Sequence, residues 1–84
     1  MATVEIYTRP MCGFCYQVKK LFDNKGISYV EYDVWADGSK KAEMMDRSGG
    51  RTTMPQIFVN GDHVGDCSET LRANAEGRLD RLLA

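Results

Sequence analysis

The sequence predicts an α/β fold in which helices flank a four-stranded mixed sheet, with the elements in the order β-α-β-α-β-β-α. Strand-like and helix-like segments alternate in the first half of the chain, and a β-α-β unit joins parallel strands by a right-handed crossover. Later, Asn60-Gly61 separates two short strand-like segments and strongly favours a two-residue hairpin with antiparallel strands. Parallel and antiparallel pairs together make the predicted sheet mixed.

The first three elements follow from the spacing of apolar side chains. Residues 3–8 alternate between two faces, which predicts a strand. Residues 12–25 predict a helix that ends at Gly26, because their apolar side chains recur at helical spacing. Residues 27–34 are rich in β-branched and aromatic side chains and predict the second strand. The apolar positions of the helix are Cys15, Val18, Leu21 and Phe22.

Caps and turns mark the remaining elements. Ser39 is predicted to cap a helix that runs to about residue 47 and ends at a Gly-Gly pair. Residues 56–59 predict the third strand, and the hairpin leads into a fourth strand around residues 63–64. Ser68 is predicted to cap another helix, which a last helical segment follows. The apolar positions of these two segments are Leu71, Leu79, Leu82 and Leu83.

Length and composition limit the classes of function. The 84 residues suffice for one domain, which we expect to span residues 1–84. The formal net charge of −1 gives no electrostatic basis for binding nucleic acid or an anionic membrane. The first residues lack the basic and apolar regions of a secretion signal, and no apolar stretch approaches the roughly 20 residues of a membrane span. We therefore expect a cytoplasmic protein.

Cys12 and Cys15, two of the three cysteines, lie where a strand is predicted to give way to a helix. Side chains three apart on a helical turn are neighbours, so a small adjustment closes a disulfide between them. A helix N-terminus also stabilises a thiolate through its free N–H groups and its dipole, and Arg9 adds a positive charge nearby. We expect Cys12 to be the nucleophile and Cys15, beside apolar side chains, to be the more buried resolving thiol.

A zinc site is the alternative interpretation of the same cysteines. His63 and Cys67 have a His-x-x-x-Cys spacing, and with Cys12 and Cys15 they would complete a Cys₃His ligand set. A strand-to-helix junction is the wrong turn for a zinc knuckle, and a lone histidine on a short strand is more often solvated. The sequence therefore favours redox chemistry and leaves the metal as its alternative.

Two further segments suggest a binding surface for an extended ligand. The proline of segment 53–55 is by itself an ordinary strand-entry residue, but beside a redox Cys-x-x-Cys we expect a cis peptide that turns the backbone of Met54 outward. In segment 65–70 a helix begins whose free N–H groups suit a carboxylate, and Asp66 and Glu69 could meet an ammonium group. An ordinary capped helix accounts for the same residues.

Three motifs together resemble those of the glutaredoxin family, in the same order and at the same spacing. They are Tyr7-Thr8-Arg9-x-x-Cys12-x-x-Cys15, Thr53-Met54-Pro55-Gln56-Ile57-Phe58-Val59 and Gly65-Asp66-Cys67-Ser68-Glu69. The resemblance covers essentially the whole chain and implies a thioredoxin-like fold that binds glutathione beside the active thiol. It also implies that Cys12 takes the glutathionyl group and that Cys15 is the resolving thiol, as in the small dithiol type.

The resemblance further implies the contacts with glutathione. Met54 would pair its backbone with the cysteinyl unit, and Cys67 and Ser68 would hold the γ-glutamyl end through backbone N–H groups and a side-chain oxygen. Arg9 takes the place of the family's usual lysine near the glycyl carboxylate, where Arg51 could assist it. The implied glutathione-binding residues are Arg9, Phe14, Thr53, Met54, Pro55, Cys67 and Ser68.

Two departures from the family pattern bear on function. Gly13-Phe14 replaces the usual Pro-Tyr and matches the start of the single-cysteine class, which carries iron–sulfur clusters. Asp66 stands where the family often has glycine, and it would either repel glutathione or point to solvent. The predicted function is glutathione-dependent reduction of glutathionylated and disulfide-bonded proteins by a metal-free monomer. The alternative is a dimer that holds a [2Fe–2S] cluster through two Cys12 thiolates and two glutathione thiolates.

Overall fold

The computed structural model describes residues 2–84 and contains the predicted elements, with two short helices at the C-terminal end. The four strands are β1 (Val4–Thr8), β2 (Val30–Asp33), β3 (Gln56–Val59) and β4 (Asp62–Gly65). The four helices are α1 (Gly13–Asn24), α2 (Gly38–Arg47), α3 (Cys67–Ala75) and α4 (Arg78–Leu83). Among the described residues, no helix is both long and apolar enough to cross a membrane.

The strands form a single mixed sheet in the order β2-β1-β3-β4. Strand β1 pairs in parallel with β2, and the β3 strand pairs antiparallel with both β1 and β4. Asn60 and Gly61, both with positive φ, form the tight turn between β3 and β4. The predicted α/β fold with a mixed four-stranded sheet is therefore confirmed.

Alternation along the two central strands divides the core between the two faces of the sheet. Ile6 on β1 lies opposite Ile57 on β3, and both pack with α1, α3 and α4. The next residues along, Tyr7 and Phe58, face the other way and pack with Met44 of α2. Because successive side chains of a strand point to opposite faces, each central strand serves both cores. The middles of the central strands are thus occupied by the core, and the strand ends and helix N-termini remain available for a functional site.

The second strand is shorter than the predicted segment 27–34. The N–H of Ile27 donates to the carbonyl of Phe22 at 3.0 Å, so this residue completes the C-terminal end of α1. Pairing between β1 and β2 begins only where Val30 meets Glu5. The last carbonyls of a helix lack partners within the helix. Here one of them accepts the N–H of Ile27, so the first part of the predicted segment belongs to the end of α1 and not to the sheet.

Aspartates, not the predicted serines, cap the second and third helices. Asp37 accepts a hydrogen bond from the N–H of Ser39 at 3.0 Å, and Asp66 accepts one from the N–H of Glu69 at 3.0 Å. The predictions of Ser39 and Ser68 as N-caps are therefore wrong by two residues in each case. A carboxylate is at least as good a cap as a hydroxyl, and its charge also suits the positive end of the helix dipole.

Candidate active site

The two cysteines of the Cys-x-x-Cys motif lie at the start of α1 and are joined by a disulfide. Cys12 is the N-cap residue, and its sulfur accepts a hydrogen bond from the N–H of Cys15 at 3.2 Å. Cys12 is partly exposed, whereas Cys15 is only 2% exposed and lies within the helix. The predicted difference in burial between the two sulfurs is therefore present.

The loop before β3 brings a second segment to the cysteine pair. The Met54–Pro55 peptide bond is cis, as predicted from the sequence, and Pro55 is buried. The carbonyl oxygen of Met54 lies 3.8 Å from the sulfur of Cys12. Residues 42 positions apart in the chain thus meet at the exposed sulfur.

A cavity of about 280 Å³ opens beside this loop and is lined mainly by apolar surface. It is bounded on one side by the start of α1, on another by the cis-proline loop, and on a third by the start of α3. The lining residues are Phe14, Thr53, Met54, Pro55, Asp66, Cys67 and Ser68. Six of the seven glutathione-binding residues predicted from the sequence therefore surround one cavity, and Asp66 joins them.

Arg9, the seventh predicted residue, lies outside the cavity lining. Its guanidinium donates to the carbonyl oxygens of Pro10 at 3.1 Å and Met11 at 3.3 Å, and it lies 5.7 Å from the ring centre of Trp35. These contacts hold the cation against the loop between β1 and α1. The role of Arg9 near a glycyl carboxylate stays a prediction.

Gln56, which is not among the site residues predicted from the sequence, supports the cis-proline loop. The side chain is completely buried, and its amide nitrogen donates to the carbonyl oxygen of Thr53 at 3.0 Å and to its hydroxyl at 3.1 Å. The amide oxygen lies 2.6 Å from Nε2 of His63. A glutamine in a strand that is otherwise entirely apolar is the sequence feature that could have identified this role.

Arg51 forms ion pairs with Glu69 and with Asp66, which lines the cavity. Its guanidinium lies 2.6 Å from Glu69 Oε1 and 3.2 Å from Asp66 Oδ2. The hydrogen bond from Arg51, together with one from the backbone of Asp66, lowers the pKa of Glu69 to about 2. Asp66 therefore does not merely point to solvent, which was one of its two sequence alternatives, because it pairs with Arg51. Repulsion of glutathione by Asp66, the other alternative, stays a prediction. The hydrogen-bond partners of Arg51 are Asp66 and Glu69, and its predicted assistance to Arg9 stays a prediction.

The four residues of the zinc alternative do not form a ligand cluster. His63 contacts Gln56 through its ring nitrogen and packs against the ring of Phe58 with centres 4.9 Å apart. Cys67 is 5% exposed with its sulfur 3.7 Å from Gln17 Oε1, and burial raises the pKa of its thiol. Across residues 2–84, no three His, Cys, Asp or Glu side chains are grouped so that they could hold a metal ion.

Comparison with known proteins identifies the family. The family model described as Glutaredoxin matches residues 4–64, which is well over half of the chain. The chain belongs to the glutaredoxin family. It is 45% identical over 83 residues to Glutaredoxin 3 of Escherichia coli strain K12, with 99% of each chain covered. It is also 40% identical over 84 residues to rice Glutaredoxin-C6, with 98% of this chain and 75% of the rice protein covered.

Solved glutaredoxin structures have the same fold as this chain. The solution structure of glutaredoxin from Brucella melitensis is 46% identical and gives a TM-score of 0.84, with 99% of this chain and 89% of that chain covered. The crystal structure of a buckwheat glutaredoxin–glutathione complex is 28% identical and gives a TM-score of 0.86, with 95% and 74% covered. These similarities confirm the thioredoxin-like fold and make the chain a thiol oxidoreductase of the glutaredoxin kind.

Proposed function

We propose that this glutaredoxin reduces protein–glutathione mixed disulfides and protein disulfides at the expense of glutathione. One observation carries the proposal: the sulfur of Cys12, a partly exposed residue, lies 3.8 Å from the carbonyl oxygen of Met54, and Met54 lines the cavity between the cis-proline loop and the start of α3. The buckwheat relative forms a complex with glutathione. Glutathione, a small peptide with two carboxylates, is a suitable ligand for a cavity that offers both an outward-facing loop and a helix N-terminus.

In the first reaction, the Cys12 thiolate attacks the glutathionyl sulfur of the mixed disulfide. The bond between that sulfur and the protein sulfur breaks, the protein thiolate leaves and takes up a proton, and Cys12 keeps the glutathionyl group. The thiolate of a second glutathione then attacks the same glutathionyl sulfur. This releases glutathione disulfide and returns Cys12 as a thiolate. Position at the N-cap of α1 favours the thiolate form in both steps.

Protein disulfides require the second cysteine. Attack by Cys12 gives a mixed disulfide with the substrate protein, and the Cys15 thiolate then attacks the Cys12 sulfur. The substrate leaves with two reduced sulfurs, and the Cys12–Cys15 disulfide remains. Two glutathione molecules reopen this bond and become glutathione disulfide. The burial of Cys15 supports these separate roles of the two cysteines, because a residue that is only 2% exposed is poorly placed to attack a large substrate directly.

The proposed mode of glutathione binding uses the cavity walls. The backbone of Met54 would pair with the cysteinyl unit, which brings its sulfur to Cys12. The N–H groups of Cys67 and Ser68, at the start of α3, would bind the γ-glutamyl carboxylate. Thr53, Pro55 and Phe14 would form the remaining wall.

The test is turnover of a small glutathione mixed disulfide with excess glutathione by the wild type, Cys12→Ser and Cys15→Ser. Cys12→Ser should abolish turnover, since it removes the attacking sulfur. Cys15→Ser should retain deglutathionylation and lose the reduction of protein disulfides. Circular dichroism spectra of the three proteins establish that the fold is intact. Wild-type turnover by Cys12→Ser would exclude the mechanism.

A dimer holding a [2Fe–2S] cluster remains the second candidate. Within residues 2–84, apart from Cys12, Phe14 and the backbone of α1, no atom lies within 4 Å of the place where a side chain on Gly13 would begin. A side chain at this position next to Cys12 would therefore meet open space. Because Cys15 is buried, each chain would supply one thiolate, and glutathione the others. Anaerobic incubation with iron, sulfide and glutathione should give visible charge-transfer absorption and a dimer, both lost in Cys12→Ser. A colourless monomer would contradict this role.

We also propose that the enzyme is a cytoplasmic monomer. Glutathione keeps thiols reduced in the cytosol and supplies the electrons that the cycle consumes. Size-exclusion chromatography coupled to light scattering measures the oligomeric state of the reduced enzyme without iron. A stable dimer under these conditions would contradict the monomer.

A further inference from the structure

Asp66 lines the cavity at the start of α3, and the guanidinium of Arg51 lies between this carboxylate and that of Glu69. This arrangement bears on the charge of the substrate. We infer that Arg51 is a specificity-determining residue: by neutralising Asp66 at the cavity wall, it allows the site to accept an anionic glutathionyl group. The inference rests on the proposed function, because it concerns the binding of glutathionylated substrates. It assigns Arg51 a role through Asp66 and not through direct contact with the substrate.

Helix capping fixes the Asp66 carboxylate at the cavity wall. Its Oδ1 accepts the N–H of Glu69 at 3.0 Å, and its own N–H donates to Glu69 Oε1 at 3.0 Å, so the pair forms a reciprocal capping box. The carboxylate cannot rotate away from the cavity without breaking the cap of α3. Its charge therefore has to be balanced in place.

The guanidinium of Arg51 provides that balance. One of its nitrogens, Nη2, is 3.2 Å from Asp66 Oδ2 and 2.6 Å from Glu69 Oε1, so it bridges both carboxylates. Hydrogen bonding to Glu69 raises the pKa of Arg51 and keeps the cation charged. The Asp66 side chain remains 34% exposed, which leaves its field open to a ligand in the cavity.

The number of charges beside the cavity shows in which direction the loss of Arg51 should change the affinity for a glutathionyl group. Two carboxylates and one guanidinium sum to −1, and loss of Arg51 would leave −2 beside the same cavity. A glutathionyl group at pH 7 carries two carboxylates and one ammonium group, a net charge of −1. Like charges several ångströms apart in partly solvated surroundings repel by about 1 kcal/mol, roughly a fivefold change in affinity. Arg51 removes one of the two negative charges that would oppose binding.

The experiment measures kcat and KM for a small glutathione mixed disulfide in wild type and variants. Arg51→Met should raise KM about fivefold with little change in kcat, because the sulfur chemistry lies elsewhere. Arg51→Lys should keep most of the wild-type KM, since the cation remains. Adding Asp66→Asn to Arg51→Met should restore KM to within about twofold, because asparagine retains the cap and removes the charge. Salt should shrink the KM penalty of Arg51→Met.

Three outcomes would overturn the inference: an unchanged KM in Arg51→Met, a penalty that Asp66→Asn does not relieve, or a penalty that is insensitive to salt. The last two would indicate a purely structural role, which urea denaturation of the same variants would register as lost stability. Failure of the proposed function is a separate result. It would appear as a wild-type enzyme that reduces simple disulfides with a dithiol but does not turn over glutathione mixed disulfides.

Discussion

Gln56 shows how one buried polar side chain can hold an active-site loop. Its amide nitrogen satisfies both the carbonyl and the hydroxyl of Thr53, and its amide oxygen contacts His63. The loop it supports continues into Met54, whose carbonyl oxygen lies beside the sulfur of Cys12. A side chain that never meets solvent therefore helps to set the distance between two walls of the site.

Replacement of this side chain by one of similar size tests that support. Gln56→Leu should lower the free energy of unfolding by about 1–3 kcal/mol, because the carbonyl of Thr53 and the ring of His63 lose their partner. Urea denaturation of the reduced protein measures it. In the double variant Gln56→Leu/His63→Leu, the loss of unfolding free energy should be smaller than the sum of the losses in the two single variants, because the two side chains share one hydrogen bond. Full additivity would contradict the coupling.

At the scale of the element, helix α3 depends on the turn that precedes it. Gly65 has a φ of +131°, and a Cβ placed there would lie 2.6–2.7 Å from atoms of the Glu69 side chain. That side chain closes the capping box with Asp66 and accepts the hydrogen bond from Arg51. The glycine is therefore required both by the backbone angle and by the space that the cap occupies.

Gly65→Ala should lower the free energy of unfolding by about 1–3 kcal/mol, because the backbone is strained and Glu69 must move out of the capping box. The matched control is Gly38→Ala at the start of α2, where φ is not positive and the space for a Cβ is open. The control should be neutral or stabilise by up to about 1 kcal/mol. Thermal unfolding of both variants gives the comparison. Equal effects would contradict the explanation.

At the scale of the whole molecule, one polar network joins α2 to the sheet. Arg47 donates to both oxygens of Glu5, at 2.9 and 3.1 Å, and to the hydroxyl of Tyr7 at 2.7 Å. Its guanidinium carbon lies 4.2 Å from the ring centre of Phe58, and Tyr7 also donates to Glu43. Helix, central strands and apolar core are thus linked through a single cation.

This network predicts loss of stability in acid. Hydrogen bonds from Arg47 lower the pKa of Glu5, and the hydrogen bond from Tyr7 lowers the pKa of Glu43. Because the folded pKa values lie below those of the unfolded chain, near 4.3, unfolding takes up protons as the pH falls. The stability that these carboxylates contribute is complete above about pH 5 and is lost progressively as the pH falls through the folded pKa values.

Urea denaturation between pH 7 and pH 3 measures this dependence. Arg47→Met should lower stability at pH 7 and flatten the slope in acid, because the largest cause of the lowered pKa of Glu5 is removed. Lys41→Met replaces an exposed cation on the same helix and should leave the slope unchanged. A wild-type stability that does not vary between pH 6 and pH 3 would contradict the prediction.

The sequence alone determined the features that depend on neighbouring residues. Periodicity located β1 and α1, the Asn60-Gly61 turn located the hairpin, and the Cys12–Cys15 spacing located the redox pair. Each is a short-range property, because helix spacing, turn geometry and thiol separation involve residues only a few positions apart. Family motifs then supplied the expectation that three distant segments meet at one site.

Only the tertiary structure decided which side chains hold those segments in place. The N-caps of α2 and α3 were wrongly predicted to be Ser39 and Ser68. The sequence offers several side-chain oxygens at each helix start, and only the three-dimensional geometry selects the one that accepts the hydrogen bond. Gln56 became recognisable as a support only once Thr53 and His63 were seen against it. Arg51 could be paired with Asp66 only through contacts across 15 positions of the chain. Long-range pairs of polar side chains depend on the whole fold, which no local pattern encodes.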